Sequence, residues 1–169
     1  MREQRDSDIS LHPAGQGKTL GFILNPVAGM GGRVGLKGTD GVEVLQEARR
    51  RGAQPVSSDR ALIALKRLAA STTPFRLITG SGELGENVAR AAGLDPIVVY
   101  TSSPGASRPD DTRNAALVMA YASVDLLLFA GGDGTARDVL EMVSDRVPIL
   151  GIPTGVKMYS AVFGTNPQN

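Results

Sequence analysis

Short apolar runs recur along the chain and are separated by stretches in which apolar and polar positions alternate with helical spacing. Thr19 to Leu24, Phe75 to Thr79, Pro96 to Tyr100, Leu126 to Ala130 and Val147 to Pro153 are the apolar runs. Such runs, short and unbroken by polar residues, suit strands buried on both faces of a parallel sheet. Between them, Val42 to Arg51, Asp59 to Ala70, Glu86 to Ala92, Asp110 to Ala122 and Thr135 to Val143 read as helices. In the second helix Leu62, Ile63, Leu65 and Leu68 form an apolar stripe edged by Lys66, and in the last Val139, Leu140, Met142 and Val143 share a face. Met158 to Phe163 suggests a final short helix. Strands alternating with helices predict an α/β fold, a doubly wound, mainly parallel five-stranded sheet, and right-handed crossovers leave few ways to wind it. The expected order is 3-2-1-4-5. That order makes the first and fourth strands neighbours at the switch point, so the loop from Asn25 to Asp40 and the turn from Gly131 to Thr135 open into one crevice.

With 169 residues, 41% apolar and 21% charged, the chain has the length and composition of one ordinary globular domain. Residues 1–18 are expected to be a flexible tail and 19–169 one α/β domain. No apolar stretch approaches the roughly 20 residues of a membrane span, and the polar start lacks a signal-like apolar core, so a cytoplasmic protein without membrane partners is expected. There is no cysteine, and the single histidine, His12, lies in the tail. Thiolate chemistry, sulfur-ligated metals, a Ser-His-Asp triad and a His-rich zinc site are therefore set aside, no residue is assigned to a metal, and acid-base work falls to Asp or Glu. A formal charge of +1, no Trp and only seven other aromatic residues argue against a nucleic-acid partner.

Glycine clusters mark the candidate chemistry. Gly17-Lys18-Thr19 matches the close of a P-loop, but His12 stands where the first glycine belongs and the segment precedes a strand instead of following one. The loop Val27 to Gly41 is long and glycine-rich, with Arg33 and Lys37 as anion partners if a ligand orders it; a solvated surface loop is the competing reading. Gly80-Ser81-Gly82-Glu83-Leu84-Gly85 fits G-x-G-x-x-G between a strand and a helix. The next strand, however, ends in Tyr100-Thr101-Ser102-Ser103 and not in the acid that would hold a ribose, which favours a tightly packed glycine turn over a dinucleotide site. Asp110 and Asp111 at a helix start complement its dipole. The remaining turn, Gly131-Gly132-Asp133-Gly134-Thr135, places backbone N–H groups, a helix N-terminus and one carboxylate together, which suits a phosphate.

These residues resemble a known family. Gly131-Gly132-Asp133-Gly134-Thr135 is similar to the GGDGT motif of NAD kinases, diacylglycerol and sphingosine kinases and, more distantly, phosphofructokinases. Together with Asn25 to Gly41, Gly82 to Glu86 and Gly151 to Phe163, four motifs in order, it resembles the ATP-NAD kinase family in its AcoX-like branch, from about Thr19 to Thr165. The resemblance implies phosphoryl transfer from ATP or polyphosphate, with Mg²⁺, to the 2′-hydroxyl of NAD. It also implies a homo-oligomer and a second, β-rich C-terminal domain that these residues do not supply; the chain is expected to be an NAD kinase-like phosphotransferase, incomplete as it stands, with a non-catalytic nucleotide-binding or regulatory module as the alternative. On that basis Asp133 is expected to act as base or hydroxyl-orienting group. Asn25, Gly29, Gly31, Gly32, Arg33, Gly131, Gly132, Gly134, Thr135, Gly155 and Lys157 are expected to hold nucleotide, Thr135 also capping its helix. A lipid acceptor is a further alternative, against which the Leu36 to Gly41 loop speaks.

Overall fold

β1 (Lys18–Leu24) occupies the centre of a five-stranded sheet with β2 (Phe75–Gly80) and β4 (Leu126–Gly131) on either side, β3 (Ile97–Tyr100) and β5 (Ile149–Pro153) at the edges. All four pairings are parallel, so the order is 3-2-1-4-5, as the alternation of strands and helices predicts. The structure is a computed structural model and describes residues 17–30, 34–36, 42–53, 55–102, 109–155 and 158–167. The expected tail, apart from its last two residues, lies outside them, as do Gly31, Gly32, Arg33, Lys37 and Lys157. Lys18 belongs to β1 and not to a tail, and its ammonium donates to Asp125 Oδ1 at 2.7 Å.

The helices among the described residues include α1 (Val42–Arg50), α2 (Ser57–Ala69), α3 (Glu86–Ala91), α4 (Pro109–Tyr121) and α5 (Asp133–Val143). Because side chains alternate across a strand, the single run Phe22-Ile23-Leu24 supplies both layers. Ile23 joins Ile78, Leu127 and Phe129 beneath Met119 of α4 and Val139 and Val143 of α5. Phe22 and Leu24 turn the other way, against Ala61 and Leu65 of α2 and Val88 and Ala89 of α3. A strand buried on both faces has no room for polar alternation, which is why the sequence shows runs. Among the described residues no helix is long and apolar enough to cross a membrane.

Three expectations need correction. The stripe of α5 is Ala136, Val139 and Val143, whereas Leu140 is 51% exposed, because only about a third of this helix is covered by the sheet and α4. On α2, Ile63 is likewise exposed, and Ala61 and Leu65 take the core. Met158 to Phe163 forms no helix. Gly151 N–H donates to the Val162 carbonyl at 2.8 Å and Gly164 N–H to the Gly151 carbonyl at 3.0 Å, so the segment lies along the edge of β5. The Phe163 ring meets Phe129 edge-on at 5.4 Å. Six residues are too few to hold a helix without packing, and here the aromatic contact packs an extended segment instead.

The G-x-G-x-x-G stretch is a close approach of backbone to core. Gly82–Leu84 forms one 3₁₀ turn, and Gly85 has φ of 147°. A Cβ on Gly85 would lie 2.2 Å from Thr79 Oγ1 and 2.9 Å from the Phe22 ring. Gly93, in contrast, has φ of 84° with open space around it. Gly93→Ala should therefore cost only the left-handed backbone penalty, about 1–2 kcal/mol. Gly85→Ala adds overlap with the core and should cost about 3 kcal/mol or more, read as the difference in urea midpoints.

Candidate functional site

The carboxyl ends of β1, β4 and β5 meet where the loop after β1 crosses in front of the start of α5. Asn25 makes the junction. Its backbone N–H donates to the Ala130 carbonyl at 3.0 Å and extends the β1–β4 ladder by one bond. Its side chain then splits its work: Nδ2 donates to Thr135 Oγ1 at 3.0 Å, and Oδ1 accepts from Val27 N–H at 3.2 Å, closing an Asx turn. Gly29 has φ of 81°, and a Cβ there would sit 2.2 Å from the Thr154 carbonyl at the end of β5. The loop thus rests on β5, and only glycine permits that approach. Ser57 Oγ donates to the Pro26 carbonyl at 3.0 Å and ties the loop to α2.

On the other wall, α5 begins earlier than the pattern suggests. It starts at Asp133, with Gly132 as the N-cap and no side chain capping it, so Thr135 is within the first turn and does not cap the helix. Thr135 is buried, its hydroxyl taken up by Asn25, because Gly131 leaves the space: a Cβ on Gly131 would lie 2.4 Å from the Thr135 side chain. Gly132 faces open space. Ahead of Ala136, whose N–H bonds the Gly132 carbonyl at 2.9 Å, the helix N–H groups have no helical acceptor. Gly155 meets only ordinary contacts with Met158.

Asp133 is held by the segment that follows β5. Its Oδ1 accepts from Ser160 Oγ at 2.7 Å, from Ser160 N–H at 3.0 Å and from Tyr159 N–H at 3.2 Å, while Oδ2 accepts from Tyr159 N–H at 3.0 Å. The Ser160 hydroxyl holds the carboxyl below the usual carboxylate range, against a partial desolvation that pushes it up, with the Tyr159 and Ser160 amides and Arg137 adding to the lowering. A weakened base results.

On the far side of the loop lies a cavity of about 420 Å³, walled by Leu24, Met30 and Leu62 and rimmed by Asp59, Glu83 and Asn87. The glycine turn Gly82–Leu84 contributes to this cavity. Asp133 does not line it.

The family model for the ATP-NAD kinase N-terminal domain matches residues 20–169, which take in all five strands but for the first two residues of β1. The chain belongs to the ATP-NAD kinase family. Within that family setting, the acetoin catabolism protein X of Cupriavidus necator is 43% identical over 75 residues, covering 43% of this chain and 21% of that protein. The chain therefore matches about a fifth of the length of this curated relative.

The catalytic candidate Asp133 and, of the expected nucleotide-holding residues, Asn25, Gly29, Gly131, Gly132, Gly134, Thr135 and Gly155 lie at one end of the sheet. Gly31, Gly32, Arg33 and Lys157 lie outside the described residues. Two residues of this end carried no expectation. Ser160 is the donor closest to Asp133, and Thr154 is 2% exposed with its Oγ1 unpartnered among the described residues. Nothing in local spacing distinguishes either, since their roles depend on segments far along the chain.

The lowered Asp133 carboxyl carries a pH dependence. A group whose folded value is depressed adds stability above its unfolded value, about pH 3.9, and that stability fades as pH falls through the folded value. Wild type should accordingly exceed Asp133→Asn in urea midpoint at pH 7, with the gap closing between about pH 4 and the acid limit. A gap unchanged at pH 3 would refute the assignment.

Proposed function

We propose that the chain is the nucleotide-holding part of an ATP-NAD kinase-type phosphotransferase, moving a phosphoryl group from ATP or polyphosphate to the 2′-hydroxyl of the NAD adenosine ribose. The observation that carries this reading is Asp133 at the first position of α5, where a carboxylate stands beside helix N–H groups that have no helical acceptor. Phosphoryl transfer through a loose transition state asks the protein for positioning and charge neutralisation more than for a strong base. A carboxylate kept ionised by Ser160 and two amides suits the hydroxyl-orienting role better than that of general base, because basicity falls with pKa. The N–H groups of the first turn of α5, preceded by the open Gly132, supply anion donors.

Mg²⁺ supplies neutralisation of phosphate charge when bound. Among the described residues no three acidic or histidine side chains gather to hold a metal. That donor set fits an ion carried by phosphates and water and not by a dedicated protein cage.

The cavity supports a place for the donor. Its volume lies in the range of small-molecule sites, its walls are apolar, and its rim carboxylates Asp59 and Glu83 suit hydroxyl groups and repel phosphate. A base and ribose there would send the phosphates past the loop after β1 toward α5. Polyphosphate has no base to place. Leu62→Trp, which fills the cavity, should thus weaken ATP binding about ten-fold or more while leaving polyphosphate binding unchanged, by calorimetric titration.

A second reading, a nucleotide-binding module without turnover, draws on the same carboxylate, already engaged by three donor groups. NADP formation with ATP or polyphosphate and Mg²⁺ separates the two. Asp133→Asn should lower kcat by about 10²-fold or more if Asp133 orients the hydroxyl. Full activity in that variant would sink its role, and binding without turnover in wild type would favour the module.

A further inference from the structure

The segment from Met158 to Phe163 is fixed at two points, one structural and one at the site. At its far end Phe163 fills the space above Gly151, where a Cβ would lie 2.4 Å from its ring, and packs edge-on against Phe129 in the core. Backbone bonds on both sides of Phe163, Gly151 N–H to Val162 and Gly164 N–H to Gly151, hold this end to β5. At its near end Tyr159 and Ser160 deliver two amides and one hydroxyl to a single side chain, Asp133. The segment is therefore a strap from the edge of β5 to the first residue of α5.

The contacts are unequal between the two carboxylate oxygens. Oδ1 receives three donors, the Ser160 hydroxyl at 2.7 Å being the shortest, and its lone pairs are filled. Among the described residues Oδ2 receives only the Tyr159 N–H, shared with Oδ1, and keeps capacity for another hydrogen. A carboxylate on a short side chain at an open helix start would otherwise exchange its two oxygens by rotation about χ2, a broad torsion. The Ser160 hydroxyl removes that equivalence.

Resting on the phosphotransferase reading, we propose that Ser160 is a positioning residue for Asp133: its hydroxyl, carried on a strap anchored by Phe163, occupies Oδ1 and reserves Oδ2 for the hydroxyl of the phosphoryl acceptor. Ser160 itself touches no reacting atom. A plain tertiary staple would change stability and little else when cut, whereas a positioning device changes the carboxylate it holds.

The test follows the Asp133 carboxyl by ¹³C NMR titration, assigned with Asp133→Asn, in the full chain as wild type, Ser160→Ala and Ser160→Thr, alongside NADP formation. Ser160→Ala should raise the Asp133 midpoint toward the ordinary Asp value and lower kcat by roughly ten- to a hundred-fold, the loss of a charge-assisted hydrogen bond, with KM nearly unchanged. Ser160→Thr, which keeps the hydroxyl, should restore both. Should Ser160→Ala fail to fold, Ser160→Cys carries the same comparison with a weak donor. If wild type turns over and Ser160→Ala matches it in kcat or leaves the midpoint in place, the positioning role is overturned while the phosphotransferase reading stands. If wild type forms no NADP, the reading beneath the proposal fails and the proposal goes with it.

Discussion

β1 and β4 are hydrogen-bonded neighbours although two strands and their helices separate them in sequence, and every feature of the crevice descends from that pairing. From β1 the chain continues to α1 and α2, and α2 covers one face of the sheet; from β4 it continues to α5 on the other face. Connections that part in this way cannot close over the strand ends between them, so a gap remains at the carboxyl edge. Asn25 spans the gap. Its backbone adds a last rung to the ladder and its side chain reaches Thr135, which fixes the loop after β1 relative to the start of α5.

The chemistry at this edge balances two demands on Asp133. A group that abstracts a proton benefits from a pKa near the working pH, while a group that must stay ionised beside phosphate benefits from a low one. The strap settles the balance on the low side, with the Ser160 hydroxyl as the main cause. Under the proposed phosphoryl transfer, orientation is then the contribution open to Asp133, in accord with a transition state that draws little on basic strength.

Glycines divide by cause. Gly85 and Gly29 are needed because backbone or core lies within 3 Å of the place of a Cβ, and in both the φ is one that glycine adopts freely. Gly131 has a different cause, since its missing side chain makes room for Thr135 inside the protein. Gly132 alone of the pair before Asp133 faces open space and leaves backbone accessible. A glycine-rich motif that reads as uniformly ligand-facing is thus partly a packing device.

Fold class, strand order and the meeting of the two glycine segments were legible in the chain because each rests on local signals: unbroken apolar runs, helical periodicity between them, and a handedness rule that few windings satisfy. The place of Asp133, a lone carboxylate in a glycine turn after a buried strand, was legible for the same reason. What only the tertiary structure decided depends on contacts between segments distant in sequence. Thr135 looked like a helix cap but serves Asn25, and Met158 to Phe163 looked helical but is drawn out along β5 by Phe163 against Phe129. Ser160 meets Asp133 only because that strap brings its hydroxyl to 2.7 Å from the carboxylate. Local pattern determines which elements form, since propensity and periodicity act over a few residues; the partner of a hydroxyl or a carboxylate is set by where packing leaves the chain.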